Sequence, residues 1–285
     1  MRTIELTAGT VEYEDTGGEG PVVVLLHGLA MDGSYWRGLV SALAPACRVI
    51  VPNLPLGGHR VPLRPGADLS PRGIAALEAE FLTALGLRDV TLVGSDSGLF
   101  LFAAPLAKER IARLVIGACE VFDNYPPGLP GKAVSLAGRV PGGLWLVSRI
   151  VRVRALRRGP TMLGPMTVRP VPHEVTDGWF RGLIENPGVR RDLRAYLTAT
   201  RPEDMREAAE GLRDFDRPTL VVWGTRDRVM PLEHGHRLTA LLPDARLVEI
   251  PDSGTFIAED QPLAFARAVA DFVGAGERRE SGRSE

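Results

Sequence analysis

The sequence predicts an α/β protein: a mostly parallel sheet flanked by helices and interrupted once by a helical cap. Strand and helix signals alternate up to residue 121. A proline- and arginine-rich stretch without strand signals follows, and the alternation resumes from residue 213. Alternation that stops and restarts implies one sheet with crossover helices on its faces and an insertion between two of its strands.

In chain order, residues 3–6 and 11–15 read as two short strands separated by Ala8-Gly9. Residues 21–26 are a valine and leucine run after Pro21, the mark of a strand buried on both faces; it ends in His27-Gly28. Ser34 is the expected cap of a helix reaching about residue 44. Residues 48–51 form another buried strand, broken by Pro52 and Pro55. Ser70-Pro71 opens a helix to about residue 85, with a capping serine and a proline at the first helical position. A strand over 89–93, a helix over 98–108 and a strand over 113–116 close the first half. After the insertion come a strand over 219–223, a helix near 234–242, a strand over 246–250 and a helix over 262–272. The expected organisation is a first core segment (1–121), a helical cap (122–212), a second core segment (213–275) and a tail (276–285). The tail is charged and small, and is expected to be disordered.

Composition narrows the function. The 285 residues can bury roughly 75% of the unfolded chain's surface without a metal or disulfide staple. Thirty-four basic and thirty-five acidic side chains leave a net charge of −1. That balance predicts no general attraction to nucleic acid or to an anionic membrane. Cys47 and Cys119 are too few for a disulfide framework or a cysteine-based zinc site. The start of the chain lacks an apolar signal segment, and no run reaches the ~18 residues of a membrane span, so a soluble, cytoplasmic protein is expected. Two lysines against thirty-two arginines point to a GC-rich genome of the actinobacterial type, and by association to secondary metabolism.

The chemistry concentrates in Leu92-Val93-Gly94-Ser95-Asp96-Ser97-Gly98, between a buried strand and a helix. A side chain presented on so tight a turn needs glycine two positions before and after it, because larger groups clash where the backbone reverses. The central residue here is Asp96; the flanking serines are each one position from the centre.

With this turn in its context, the chain resembles an α/β-hydrolase, over about residues 1–273. Within that fold it is similar to the branch with an aspartate nucleophile, the epoxide hydrolases and haloalkane dehalogenases. His27-Gly28 matches the family's oxyanion-hole turn, and Trp223-Gly224-Thr225-Arg226-Asp227, followed by Pro231, matches its acid-bearing loop. Ile250-Pro251-Asp252-Ser253-Gly254-Thr255-Phe256 matches the loop that ordinarily carries the catalytic histidine. The resemblance implies a cofactor-independent site without metal. Asp96 would attack an sp³ carbon, being ionised at pH 7 without help. The N–H groups of Leu29 and Ser97 would stabilise the oxyanion formed when water attacks the resulting ester, each commonly worth ~3 kcal/mol.

Thr255 stands where the family has its histidine, and a threonine hydroxyl cannot collect a proton near neutral pH. Three readings follow. Another group activates water, either Asp227, whose carboxyl burial would tune upward, or His59 in the loop after the fourth strand. Alternatively the chemistry is non-hydrolytic, an isomerase, lyase or cyclase using Asp96 as a base or anchor. Lastly the chain is an inactive homologue that binds a small molecule.

The resemblance also bears on the substrate. Dehalogenases usually place a halide-binding tryptophan directly after the nucleophile and another donor after His-Gly; here those positions are Ser97 and Leu29. Fluoroacetate-type enzymes carry arginines after the nucleophile, and residues 99–104 contain none. Epoxide hydrolases use cap tyrosines to bond the epoxide oxygen, and Tyr196 lies near an expected position. Tyr125 or Trp145 stands nearest the other. An epoxide or related electrophile in a small apolar molecule is the favoured substrate.

Candidate substrate contacts are His27, His59, Glu120, Tyr125, Trp145 and Trp179, with Phe180 beside the last. Glu120 follows the sixth strand, where some dehalogenases keep their acid; with Asp227 present it reads as a supporting residue. Arg149, Arg152, Arg154, Arg157 and Arg158 read as a solvated helix face, with an anionic substrate tail or lipid contact as the alternative. His173, His234 and His236 lack metal spacing, and no phosphate-binding glycine motif occurs. A small-molecule substrate is the expected partner, and a homodimer is compatible with the sequence.

Overall fold

A computed structural model describes residues 1–281. Eight strands form one sheet: β1 (Arg2–Leu6), β2 (Gly9–Asp15), β3 (Val22–Leu26), β4 (Arg48–Pro52), β5 (Val90–Asp96), β6 (Ile111–Cys119), β7 (Thr219–Gly224) and β8 (Ala245–Ile250). Their order is β1-β2-β4-β3-β5-β6-β7-β8. The pairs β1–β2 and β2–β4 are antiparallel, and all others are parallel. The order reverses direction at β3, so β3 and β5 lie side by side although β4 intervenes in sequence. Loops leaving their carboxyl ends therefore open into a common crevice, where such sheets bind ligands. β5 is buried along its whole length, Thr91 included, which accords with its otherwise apolar start.

Helices cover both faces. On one side α1 (Arg37–Leu43) packs on α11 (Pro262–Ser281); on the other α2 (Pro71–Ala84) packs on α3 (Phe100–Leu106). Ser70 caps α2 as its sequence predicts, its hydroxyl accepting the Gly73 N–H at 3.1 Å, with Pro71 in the first turn. The helical turn before α1 differs from expectation. Asp32 caps it, accepting the Ser34 N–H at 3.0 Å, and the Ser34 hydroxyl donates to the same carboxylate oxygen at 2.5 Å instead of capping the helix itself. α9 (Leu232–Leu241) covers β7 and β8, and the short α10 (Ile257–Asp260) precedes α11.

The expected disorder from residue 276 is corrected as far as Ser281, since α11 continues through it. Gly276 lies against the guanidinium of Arg113 on β6, where any β-carbon would collide, so the helix stays docked on the sheet beyond Phe272. Residues 282–285 of that expectation lie outside the described residues.

Between β6 and β7 the described chain is helical: α4 (Gly128–Arg139), α5 (Gly143–Ile150), α6 (His173–Glu185), α7 (Pro187–Ala199) and α8 (Pro202–Glu210). Specific polar contacts fix this cap on the core. Trp179 Nε1 donates to Ser34 Oγ at 3.0 Å, Asn124 Nδ2 to the Val229 carbonyl at 3.0 Å, and the Val168 N–H to Asp260 at 2.9 Å.

Glu78 on α2 is buried, and one of its carboxyl oxygens has no partner. Burial pushes its carboxyl from 4.5 up to about 8. The folded state thus prefers the protonated acid. The stability this preference gives is complete below about pH 4.5 and is lost as the pH rises through about 8. Denaturant midpoints of Glu78→Gln should therefore exceed those of wild type by a margin that widens across that window. A margin independent of pH would show that Glu78 does not titrate there.

Candidate active site

β5 ends in Asp96, whose φ is +70°, an uncommon conformation for a residue with a side chain. The backbone closes a three-residue turn there, the Ser97 N–H donating to the Ser95 carbonyl at 3.0 Å. Glycine on either side is a steric requirement. A β-carbon at Gly94 would enter the Phe100 ring, and one at Gly98 would meet the Glu120 carbonyl. The reversal lifts the Asp96 side chain off the sheet edge and lays it over Gly28. There its Oδ2 accepts the Leu29 N–H at 2.9 Å. Residue 96 does not face bulk solvent; it is 5% exposed.

Above it lies a cavity of about 390 Å³. Leu29, Asp96, Glu120 and Phe256 form its floor, and helices α4 to α7 with the segment 156–166 form its walls and roof. Asp96 and Glu120 are the only ionisable groups in the lining, and no basic side chain reaches it. Burial raises the Asp96 carboxyl to about 7, opposed by the Leu29 N–H and reinforced by the charge of Asp227. Glu120 is held well above its ordinary range by burial and then by the charge of Asp96. Burial thus opposes the ionisation at pH 7 that the sequence leads one to expect of Asp96.

Asp227 follows β7. Its Oδ1 accepts three hydrogen bonds: from the Val229 N–H at 2.9 Å, the Met230 N–H at 2.8 Å and the Thr255 hydroxyl at 2.7 Å. Its Oδ2 is buried and makes none. Burial lifts this carboxyl to about 6, while those three donors oppose the rise. Thr255, fully buried, therefore spends its proton on the oxygen that already has partners, and the second oxygen stays bare.

The remaining sequence-predicted residues divide sharply. Ser97 is adjacent to Asp96, but its N–H is taken by Ser95, so Leu29 is the one backbone donor bonded to the Asp96 carboxyl among the described residues. His27 is a scaffold group: its Nε2 accepts the Leu54 N–H at 2.9 Å and its Nδ1 bonds the Gly28 carbonyl at 2.9 Å. Burial drives its imidazole down to about 4, which keeps it neutral. It holds the oxyanion turn and does not line the cavity. His59 is likewise committed elsewhere, to Asp192 on α7 at 3.3 Å, which excludes it as the water-activating base in this arrangement. Trp179 is buried between Tyr35 and Phe256, and the cavity is faced instead by the next residue, Phe180. Trp145 is 58% exposed on the outside of α5, so it is no substrate contact. Tyr196 and Tyr125 are buried but do not line the cavity. Burial, and then the charge of Glu120, keep the Tyr196 phenol well above its ordinary range.

Sequence reasoning missed most of the cavity wall. Residues 159–163 and Met166 line it, yet they follow no helical period and carry no ionisable group. Phe180 and Leu183, one helical turn apart on α6, were legible as one face of an amphipathic helix.

A strand-to-helix turn that raises one side chain into a capped cavity, opposite a backbone N–H donor, is the arrangement of an α/β-hydrolase. The chain belongs to the alpha/beta hydrolase family, whose model matches residues 23–268. It is 28% identical to haloalkane dehalogenase 2 of Mycobacterium tuberculosis, over 96% of this chain and 94% of that one. With the 2-hydroxy-6-oxononadienedioate/2-hydroxy-6-oxononatrienedioate hydrolase of Cupriavidus pinatubonensis it shares 25% identity, over 96% and 95% of the two chains. The solved epoxide hydrolase CorEH has the same fold, with a TM-score of 0.78 at 21% identity, covering 96% of this chain and 98% of that one.

The Thr255 hydroxyl is one of three donors holding the Asp227 carboxyl down, so Thr255→Val should move the Asp227 titration above about 6. Carbon-detected NMR of labelled aspartate would follow it. An unmoved titration would mean that the hydroxyl does not bond the ionised carboxylate.

Proposed function

We propose that the protein is a cofactor-independent hydrolase in which Asp96 attacks an epoxide, or a related electrophilic carbon, of a small apolar molecule. The supporting observation is a carboxyl group bonded to one backbone N–H at the floor of a largely apolar cavity under the cap. Ionised Asp96 adds to a ring carbon and the ring C–O bond breaks. The alkoxide takes its proton from a neutral acid facing the same cavity. Glu120 fits that part better than Tyr196, which stands behind the lining. The product of this step is an alkyl ester of Asp96.

Hydrolysis of the ester needs a base; Asp227 also stands behind the lining, but its charge acts on Asp96 and its Oδ2 has no other partner, which suits it to that part. Asp227 takes a proton from water and the hydroxide adds to the ester carbonyl, whose oxyanion bonds the Leu29 N–H. Collapse expels the diol oxygen, which receives the Asp227 proton. Asp96 is left as the acid and returns its proton to Glu120. The cycle closes with one water consumed and one diol released.

Non-hydrolytic chemistry is supported by the burial of Asp96, which raises its carboxyl to about 7 and so suits it to take and give a proton. The two readings separate in mass spectrometry after incubation with a neutral aryl epoxide. The hydrolytic reading expects an adduct of one epoxide on Asp96, absent in Asp96→Asn, and incorporation of oxygen from labelled water into the product. Isomerised product without label would support the alternative, and neither adduct nor product would remove Asp96 from catalysis.

Alkylation requires the Asp96 anion, so its rate should rise with pH through about 7. A flat profile between pH 5 and 8 would show that the attacking group is not this carboxyl. The lining has no cation, so an epoxide bearing a carboxylate should react slower than its amide by about a hundredfold, since its charge would be buried unpaired. Equal rates would place the reacting substrate outside this cavity.

A further inference from the structure

The net charge of −1 averages over a strong asymmetry. Residues 124–173 contain no aspartate or glutamate but one lysine and seven arginines, so this stretch carries +8 and the rest of the chain −9. The same stretch carries unpartnered apolar surface. Eleven large apolar side chains are exposed among the described residues, and seven of them fall here: Leu129, Leu136, Val140, Trp145, Leu146, Val153 and Leu156, each 46–63% exposed. They belong to α4, to α5, which packs on it, and to the turn that follows. Leu129, Leu136 and Val140 recur at the spacing of one helix face. Arg149 lies over the Trp145 ring at 6.0 Å, a cation beside an exposed aromatic.

We propose that this face of the cap docks on an anionic lipid bilayer. Two features select that occupant. Asp177 of α6 pairs with Arg154 and with the buried Arg157, whereas Lys132, Arg139, Arg149, Arg152, Arg158 and Arg169 are exposed. Large apolar and aromatic side chains interleaved with these exposed cations match the acyl and anionic headgroup layers of an interface. A second copy of the chain fits poorly, because it would bring two such positive faces together. The docking is peripheral, as no helix among the described residues is long and apolar enough to cross a membrane.

The cavity mouth opens on this same face: Leu156, Pro160 and Thr161 are exposed and also line the cavity. If the cavity is the substrate site, as proposed above, an apolar substrate dissolved in the bilayer enters it without crossing water. Docking itself does not depend on that reading, and its test needs no turnover.

Trp145 supplies the probe. It is 58% exposed, whereas Trp36, Trp179 and Trp223 are fully buried. Vesicles of phosphatidylglycerol and phosphatidylcholine in equal parts should shift the protein's tryptophan emission to the blue and carry it upward in a flotation gradient. Pure phosphatidylcholine should bind it more weakly by about tenfold or more, and high salt should release it. Trp145→Phe should lose the spectral shift while still floating. The pair Arg149→Glu and Arg152→Glu, both exposed, should abolish flotation while preserving the circular dichroism spectrum. Absence of flotation with the mixed vesicles, or equal binding to both lipids, would overturn the proposal. So would a blue shift that grows with protein concentration in the absence of lipid, which would make the face a contact between copies.

Discussion

The site depends on a carboxyl group kept out of water without a cation beside it. Asp96 has one direct donor, the Leu29 N–H, and its nearest charged neighbours are themselves acids. In water such a group would be a weakly basic, strongly solvated anion. Here solvation is withdrawn and only one hydrogen bond replaces it, which raises both its proton affinity and its reactivity. The crevice between β3 and β5, the γ-like turn and the small residues at 28, 94 and 98 all serve to hold that exposed oxygen in position. Each is a steric condition set by sequence, and none is chemistry in itself.

Much of the fold was legible because its signals are local. A run such as Val22–Leu26 has no polar residue to offer solvent, so it must sit between two strands. Gly94, Asp96 and Gly98 announce a reversal because only a few backbones tolerate them in that order. The tail was misread as far as Ser281 because its charged, small residues offer no apolar face in isolation. Tertiary contact with Arg113 overrides that local signal.

The site was less legible, for a different reason. Asp96, Asp227 and Thr255 come together across 159 residues of sequence only because β5, β7 and β8 are sheet neighbours or nearly so. Family resemblance supplied that proximity; periodicity could not. Which aromatic faces the cavity was beyond both. Trp179 and Phe180 are adjacent on α6, and a rotation of about 100° separates a scaffold contact from a wall residue. Histidines misled in the same way. His27 and His59 carry titratable rings near the right loops, yet each ring is consumed by backbone or by Asp192.

The resemblance places a histidine where this chain has Thr255, and the difference bears on the electrostatics of the floor. An imidazole beside Asp227 would become a cation whenever it accepted a proton, and it would lower every neighbouring carboxyl. Thr255 stays neutral, and burial raises all three carboxyls, with the charge of Asp227 adding to the rise of Asp96, that of Asp96 to the rise of Glu120, and that of Asp260 to the rise of Asp227. In the proposed mechanism the base is a carboxyl whose proton affinity is set by burial and not by a neighbouring cation, so the apolar cap that buries the floor bears on the chemistry as well as on enclosure.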